Sequence, residues 1–186
     1  WKREFHFLTI KFNINEVRIN PKFSKLRPPN FPTIRLSQLA NLYHYQPNLF
    51  SKIVEAKTID DLYLIFDNIS ASEYWDNHFN FGKVSTVESP KVLSKDFIDL
   101  IIINAILPIK YFYQKNHNPE IVDDIFDFYK HLKSEKNSIL DEWKNLGVKF
   151  ENALQTQAFL YQYKTFCTQK KCLNCSIGFQ LLKSHD

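Results

Sequence analysis

The stretch "SKDFIDLIIINAILPIKYFYQKN", residues 94–116, constrains the fold more than any other. It is apolar almost all round, and a helix of that kind has no wet face and must be surrounded. Its most apolar part, 97–109, holds Asp99, Asn104 and Pro108 and falls short of the ~20 residues a membrane span needs. The segment therefore reads as a buried central helix, which Pro108 should bend or end. With 186 residues the chain suits one domain built around it.

The flanking sequence is helical in period nearly throughout. In "WKREFHFLTIKF" (1–12), Phe5, Leu8 and Phe12 recur at helical spacing. "NINEVRINPKFSKLRPPN" (13–30) breaks the period and reads as an extended connection, since Pro28-Pro29 opposes a helix. "FPTIRLSQLANLYHY" restarts one, with Pro32 in the first turn and a stripe of Ile34, Leu36, Leu39, Ala40 and Tyr43. "TIDDLYLIFDNI" opens on Thr58 as N-cap, with Asp61 three residues on. "SEYWDNHFNFGK" (72–83) is poorly periodic and reads as a loop over the core. "NPEIVDDIFDFYKHLK" opens on Asn118 as N-cap, and its acids precede its bases as the helix dipole favours. Gly147 stops a further helix, and "ENALQTQAFLYQYKTFCTQKK" runs into the cysteines. Only three glycines are present, which disfavours a glycine-built phosphate loop. The expected fold is all-α: a single domain of about eight helices around 94–116.

Charge is unevenly spread. Residues 1–52 carry nine bases against two acids, a balance of +7; residues 53–151 carry eleven against seventeen, −6; residues 152–186 carry four against one, +3. Basic ends flank an acidic middle. The ends either pack against that middle or form a face for a polyanion. Lys164, Lys170 and Lys171 interleave with Phe159, Tyr161, Tyr163, Phe166 and Phe179, a mixture that single-stranded nucleic-acid surfaces use. At helical spacing most of these rings also suit a core.

All three cysteines fall within "CTQKKCLNC": Cys167, Cys172 and Cys175. Few and odd in number, they oppose a disulfide framework and favour a reducing cytoplasm. Their C-x4-C-x2-C spacing leaves three readings. They are plain buried thiols, or ligands of zinc or an iron–sulfur cluster, or a redox pair at Cys172 and Cys175. A metal would need a fourth ligand, such as His185. Plain thiols, with no cofactor, are the first expectation. Glu73, Asp76 and His78 could do acid–base work or hold a metal, but charged groups in an aromatic loop are more often solvated or hydrogen-bonded to backbone. Glu120, Asp123, Asp124 and Asp127 follow the spacing of a wet helix face.

"LRPPNFPTIRLSQLA" (26–40), "YWDNHFNFGK" (74–83), "IIINAILPIKYFY" (101–113), "SEKNSILDEWKNLG" (134–147) and "ALQTQAFLYQYKTFCTQKKCLNCSIG" (153–178) occur in that order. Together they resemble the C-terminal half of the DUF2851 family, bacterial proteins without an assigned activity. The resemblance implies a second, N-terminal region outside this sequence, nuclease-like by its acids and histidines. That agrees with a chain that begins at Trp1 and has no Met, read as part of a longer protein. The resemblance marks Arg27, Asn30, Arg35, Trp75, His78, Asn104, Gln155, Gln157 and the three cysteines, and carries over no catalytic residue. Arg27 to Asn30 forms a stiff strap whose Arg and Asn could cap helices or clamp an anion.

Three functions follow as expectations. The first is a helical accessory or binding domain that supports its own N-terminal half and contacts nucleic acid through basic ends. The second is half of an enzyme, with Arg27, Arg35, His78 or the cysteines completing an active site. The third is a structural zinc module. No membrane partner is expected.

Overall fold

The computed structural model describes residues 2–14, 22–23 and 26–183. Half of the connection read at residues 13–30 lies outside the described residues, as does His185. The described chain is mostly helical, with one small hairpin and an isolated bridge between Ser70 and Val92. No described helix is long and apolar enough to cross a membrane.

The centre is a continuous rod. α5 (Lys95–Ile101) starts at Ser94, whose hydroxyl accepts the Phe97 amide. A π-helical stretch, Ile102–Ile106, follows, and α6 (Leu107–His117) continues it. Pro108 does not end the rod, contrary to one expectation. It has no amide to donate, and its ring crowds the carbonyl of residue 104. The π register widens the turn just before it, with the Leu107 amide bonding the Ile102 carbonyl. Ile102, Ile103, Ile106 and Leu107 are all buried.

Around the rod pack α2 (Pro32–Tyr45), α3 (Leu49–Glu55), α4 (Ile59–Ile65) and α7 (Asp124–His131). Leu42, Ile53, Leu62, Phe66, Ile125 and Phe128 join the rod in one core. Thr58 caps α4 in a capping box with Asp61, as its spacing predicts. Asn118 precedes only the 3₁₀ turn Pro119–Ile121, and its side chain makes no capping bond. Pro28–Asn30 forms a single 3₁₀ turn before α2.

The buried face of α2 differs from the expected stripe. It is Ile34, Gln38 and Leu42, whereas Leu36, Leu39 and Tyr43 are exposed. Gln38 can be buried because its amide donates to the Lys91 carbonyl at 2.7 Å and its oxygen accepts from Arg35 at 2.8 Å. Outside the main core, Ile34, Ala71 and Trp75 form a second small cluster with Phe31 and Phe79. The expected loop at 72–83 is a 3₁₀ turn, Glu73–Asp76, followed by antiparallel strands β1 (His78–Asn80) and β2 (Lys83–Val84). Gly82, at φ 69°, supplies the left-handed residue of that hairpin.

Two lysines are consumed by the core. Lys110, 1% exposed, donates to the carbonyls of Ile53, Val54 and Ala56 at 3.2, 2.5 and 2.7 Å, closing the C-terminal end of α3. Burial lowers its pKa, a shift that Asp61 partly opposes. Lys91 donates to the carbonyls of Asp76 and Ser89 at 2.8 and 2.7 Å and so pins the hairpin segment.

Candidate functional site

The C-terminal cap begins at α8 (Ser138–Asn145), capped by Asn137, whose side chain accepts the Leu140 amide at 3.0 Å. Gly147, at φ 92°, turns the chain away. Asn152 then caps α9 (Ala153–Gln162) through the Gln155 amide. α9 runs into a second π stretch, Tyr163–Cys167. The helix closes by a Schellman arrangement: the Lys171 amide bonds the Phe166 carbonyl at 2.9 Å and the Lys170 amide bonds the Cys167 carbonyl at 3.0 Å. The left-handed residue this needs is Lys170, at φ 53°. Glycine is usual there; a lysine costs ~1 kcal/mol in backbone strain. A 3₁₀ turn, Cys172–Asn174, and α10 (Ser176–Lys183) complete the cap.

Tertiary structure brings the three cysteines to one place. They line an apolar pocket of about 180 Å³ with Trp143, Phe159 and Phe166. Trp143 and Phe150 meet Phe159 edge to face. Cys175 is buried; Cys167 and Cys172 are exposed, and all three are free thiols. The Cys175 Sγ accepts from Gln162 Nε2 at 2.8 Å and from the Gly178 amide at 3.4 Å. Desolvation pushes the Cys167 thiol up, with the nearby Cys175 and Cys172 sulfurs adding to it. A side chain at Gly178 would put its Cβ 2.6 Å from the Cys172 carbonyl oxygen, so α10 can cross here only on a glycine. Among the described residues, no group of three or more His, Cys, Asp or Glu side chains is arranged to hold a metal ion.

On the outside of the cap, Lys164, Lys170 and Lys171 are exposed. No acid occurs between Asn152 and Lys183. Ion pairs among the described residues include Lys95–Asp99, Lys130–Asp127 and Lys144–Asp141, each within a single helix of the acidic middle. None of those described joins the basic ends to that middle. Tyr161, 67% exposed, lies three positions before Lys164, and Phe179 is 52% exposed. Phe159 and Phe166 are instead turned into the thiol pocket.

The N-terminal candidates do not gather in the same way. Arg35 and Asn30 do meet: the guanidinium donates to Asn30 at 2.6 Å and to Gln38, and lies 3.4 Å from the centre of the Phe97 ring. Its partners are all neutral, and burial lowers its pKa. Arg27 is exposed: its carbonyl accepts the Asn30 amide at 2.8 Å, but no described side-chain contact joins its guanidinium to that pair. His78 stands apart on β1, stacked on Tyr74 at 4.1 Å, with its Nδ1 2.9 Å from the Tyr74 carbonyl oxygen.

Sequence reading missed Glu135. Its buried carboxylate takes the Asn104 amide at 3.2 Å and the Gln157 amide, so two of the marked residues serve one buried acid. Asn104 also donates to the Leu100 carbonyl at 3.1 Å, the partner demanded by its place in an apolar helix. Gln155 accepts the Glu151 amide at the start of α9. Burial, with Glu135 adding to it, pushes the Tyr129 hydroxyl up to about 12. Glu135 lies in an aperiodic connection, where no pattern could flag it. A findable signal was Lys110, a lone base on the core side of an apolar helix.

A family model described as a protein of unknown function, DUF2851, matches residues 1–138. No match was found among curated proteins or among solved structures. The matched span contains the central rod, the Arg35 and Asn30 pair and the hairpin with His78, and it stops short of the cysteines. It covers well over half of the sequence, and the chain belongs to the DUF2851 family.

Proposed function

We propose that this chain is a helical accessory and binding domain whose C-terminal cap engages a polyanion, single-stranded nucleic acid. The observation that carries the reading is the exposure of Lys164, Lys170 and Lys171 in a segment free of acids, with no ion pair to the acidic middle among the described residues. Lysines that the fold does not neutralise are available to phosphates. Tyr161 and Phe179 add exposed rings for base stacking. Exposed Phe5, Phe7 and Ile10 on α1 (Lys2–Lys11), with exposed Phe12 just after it, support the accessory part, since apolar groups so displayed suit cover by another region of a longer protein. The free thiols favour the cytoplasm as the location.

Fluorescence anisotropy with labelled oligo(dT) across a salt series tests the reading. Affinity should fall with salt, and the K164A/K170A/K171A variant should lower the log–log slope by about 0.7 per lysine, about 2 in all. Absence of low-salt binding by the wild type, or an unchanged slope in a folded triple variant, would overturn it.

A further inference from the structure

The thiol pocket carries a second, independent proposal. The Cys175 amide donates to the Cys172 carbonyl at 3.2 Å, so the two cysteines close one tight turn. A turn of this kind holds its end Cα atoms within about 7 Å. That reaches into the range, about 4.4–6.8 Å, over which a disulfide can form without backbone rearrangement. Both residues line the same small cavity. Their exposure differs: Cys172 is open to solvent, while Cys175 is buried and held by the donors of Gln162 and Gly178. An accessible thiol beside a sheltered one, held across a rigid turn, is the arrangement that thiol–disulfide exchange needs. The glycine at 178 lets α10 sit directly against the Cys172 backbone, where any side chain would push it away.

We propose that Cys172 and Cys175 form a reversible disulfide by exchange with low-molecular-weight disulfides. The Cys172 thiolate attacks one sulfur of the small disulfide. The old sulfur–sulfur bond breaks, one small thiolate leaves, and a mixed disulfide remains on Cys172. The Cys175 sulfur, its proton released to solvent, then attacks the Cys172 sulfur and expels the second small thiolate. The two protein thiols have lost two electrons and two protons; the small disulfide has gained both as two thiols. Cys167, from the preceding helix, is a bystander on the pocket rim.

Tryptic cleavage after Lys171 and Lys183 isolates "CLNCSIGFQLLK", which contains both reacting cysteines and excludes Cys167. The whole protein would be equilibrated at several ratios of oxidised to reduced glutathione, alkylated with iodoacetamide, digested and weighed. The expected result is a peptide that changes from doubly alkylated to unalkylated and lighter by two hydrogens as the ratio rises. Dithiothreitol should reverse it, and Cys167 should stay alkylated throughout. Cys172→Ser, a change at an exposed position, should abolish the bridge while near-ultraviolet circular dichroism stays native. Cys175→Ser should leave glutathione trapped on Cys172. A peptide that is doubly alkylated at every ratio would overturn the proposal. So would a bridge that includes Cys167, or stoichiometric zinc or iron shielding the thiols until chelated.

Discussion

The central rod and the C-terminal cap use the same residue types in opposite ways. Lys110 and Lys91 end on backbone carbonyls, and their charge is spent inside the fold. Lys164, Lys170 and Lys171 end in solvent. Asn104 and Gln157 converge on the buried Glu135, whereas Gln162 turns to the Cys175 sulfur. A buried cation is part of the structure that desolvated it, because removing it leaves its acceptors without partners. An exposed cation contributes little to stability and is free to serve a partner. The comparison separates lysines whose charge holds the fold together from lysines whose charge the fold leaves in solvent.

Variants can break this contrast. The largest effect belongs to Ile102→Ala on the rod, which should cost about 2–5 kcal/mol in urea unfolding, because a fully buried side chain leaves a cavity. Lys110→Met should cost about 3 kcal/mol, since three carbonyls at the end of α3 lose their donor. A neutral result would mean that lysine is not spent as described. Lys170→Gly sharpens the comparison from the other side. It should stabilise the cap by ~1 kcal/mol by relieving the left-handed lysine, and yet weaken oligonucleotide binding. Thermal melts and anisotropy on one preparation read both signs. Thr58→Ala should cost about 1 kcal/mol through loss of the α4 cap.

The smallest effect is a pH effect at that same cap. The backbone amides of Thr58 and Lys57 and the Thr58 hydroxyl hold the Asp61 carboxyl below its ordinary value. A depressed carboxylate stabilises the fold above its unfolded pKa, about 3.9, and that contribution fades as pH falls through the folded value. The stability gap between wild type and Asp61→Asn should therefore narrow below pH ~4. A gap that widened in acid would show that the charge is not what the cap uses.

Much of the fold is legible in the sequence for a local reason. The apolar run 94–116 had to be central, and Pro32, Thr58 and Gly147 mark helix ends through bonds and angles made within a few residues. The α2 stripe was misread because Gln38 looks polar in the sequence and becomes buried only when the Lys91 carbonyl arrives, 53 residues away. Pro108 read as a bend or a stop, because its loss of an amide is visible while the π turn that absorbs it is not. Among the candidate site residues, the lysines and cysteines were readable by spacing. The Cys167 sulfur shares a pocket with Cys172 and Cys175 behind an aromatic wall of Trp143, from α8, and Phe159, from the helix that runs into Cys167.

By itself the sequence determined a helical chain around one apolar rod, with net basic ends and an acidic middle, because helical period, capping and composition act over short range. The tertiary structure alone decided which polar groups are used inside and which are left outside. That choice depends on carbonyls and rings brought together from distant segments, where the cost of desolvation is met by some side chains and avoided by others.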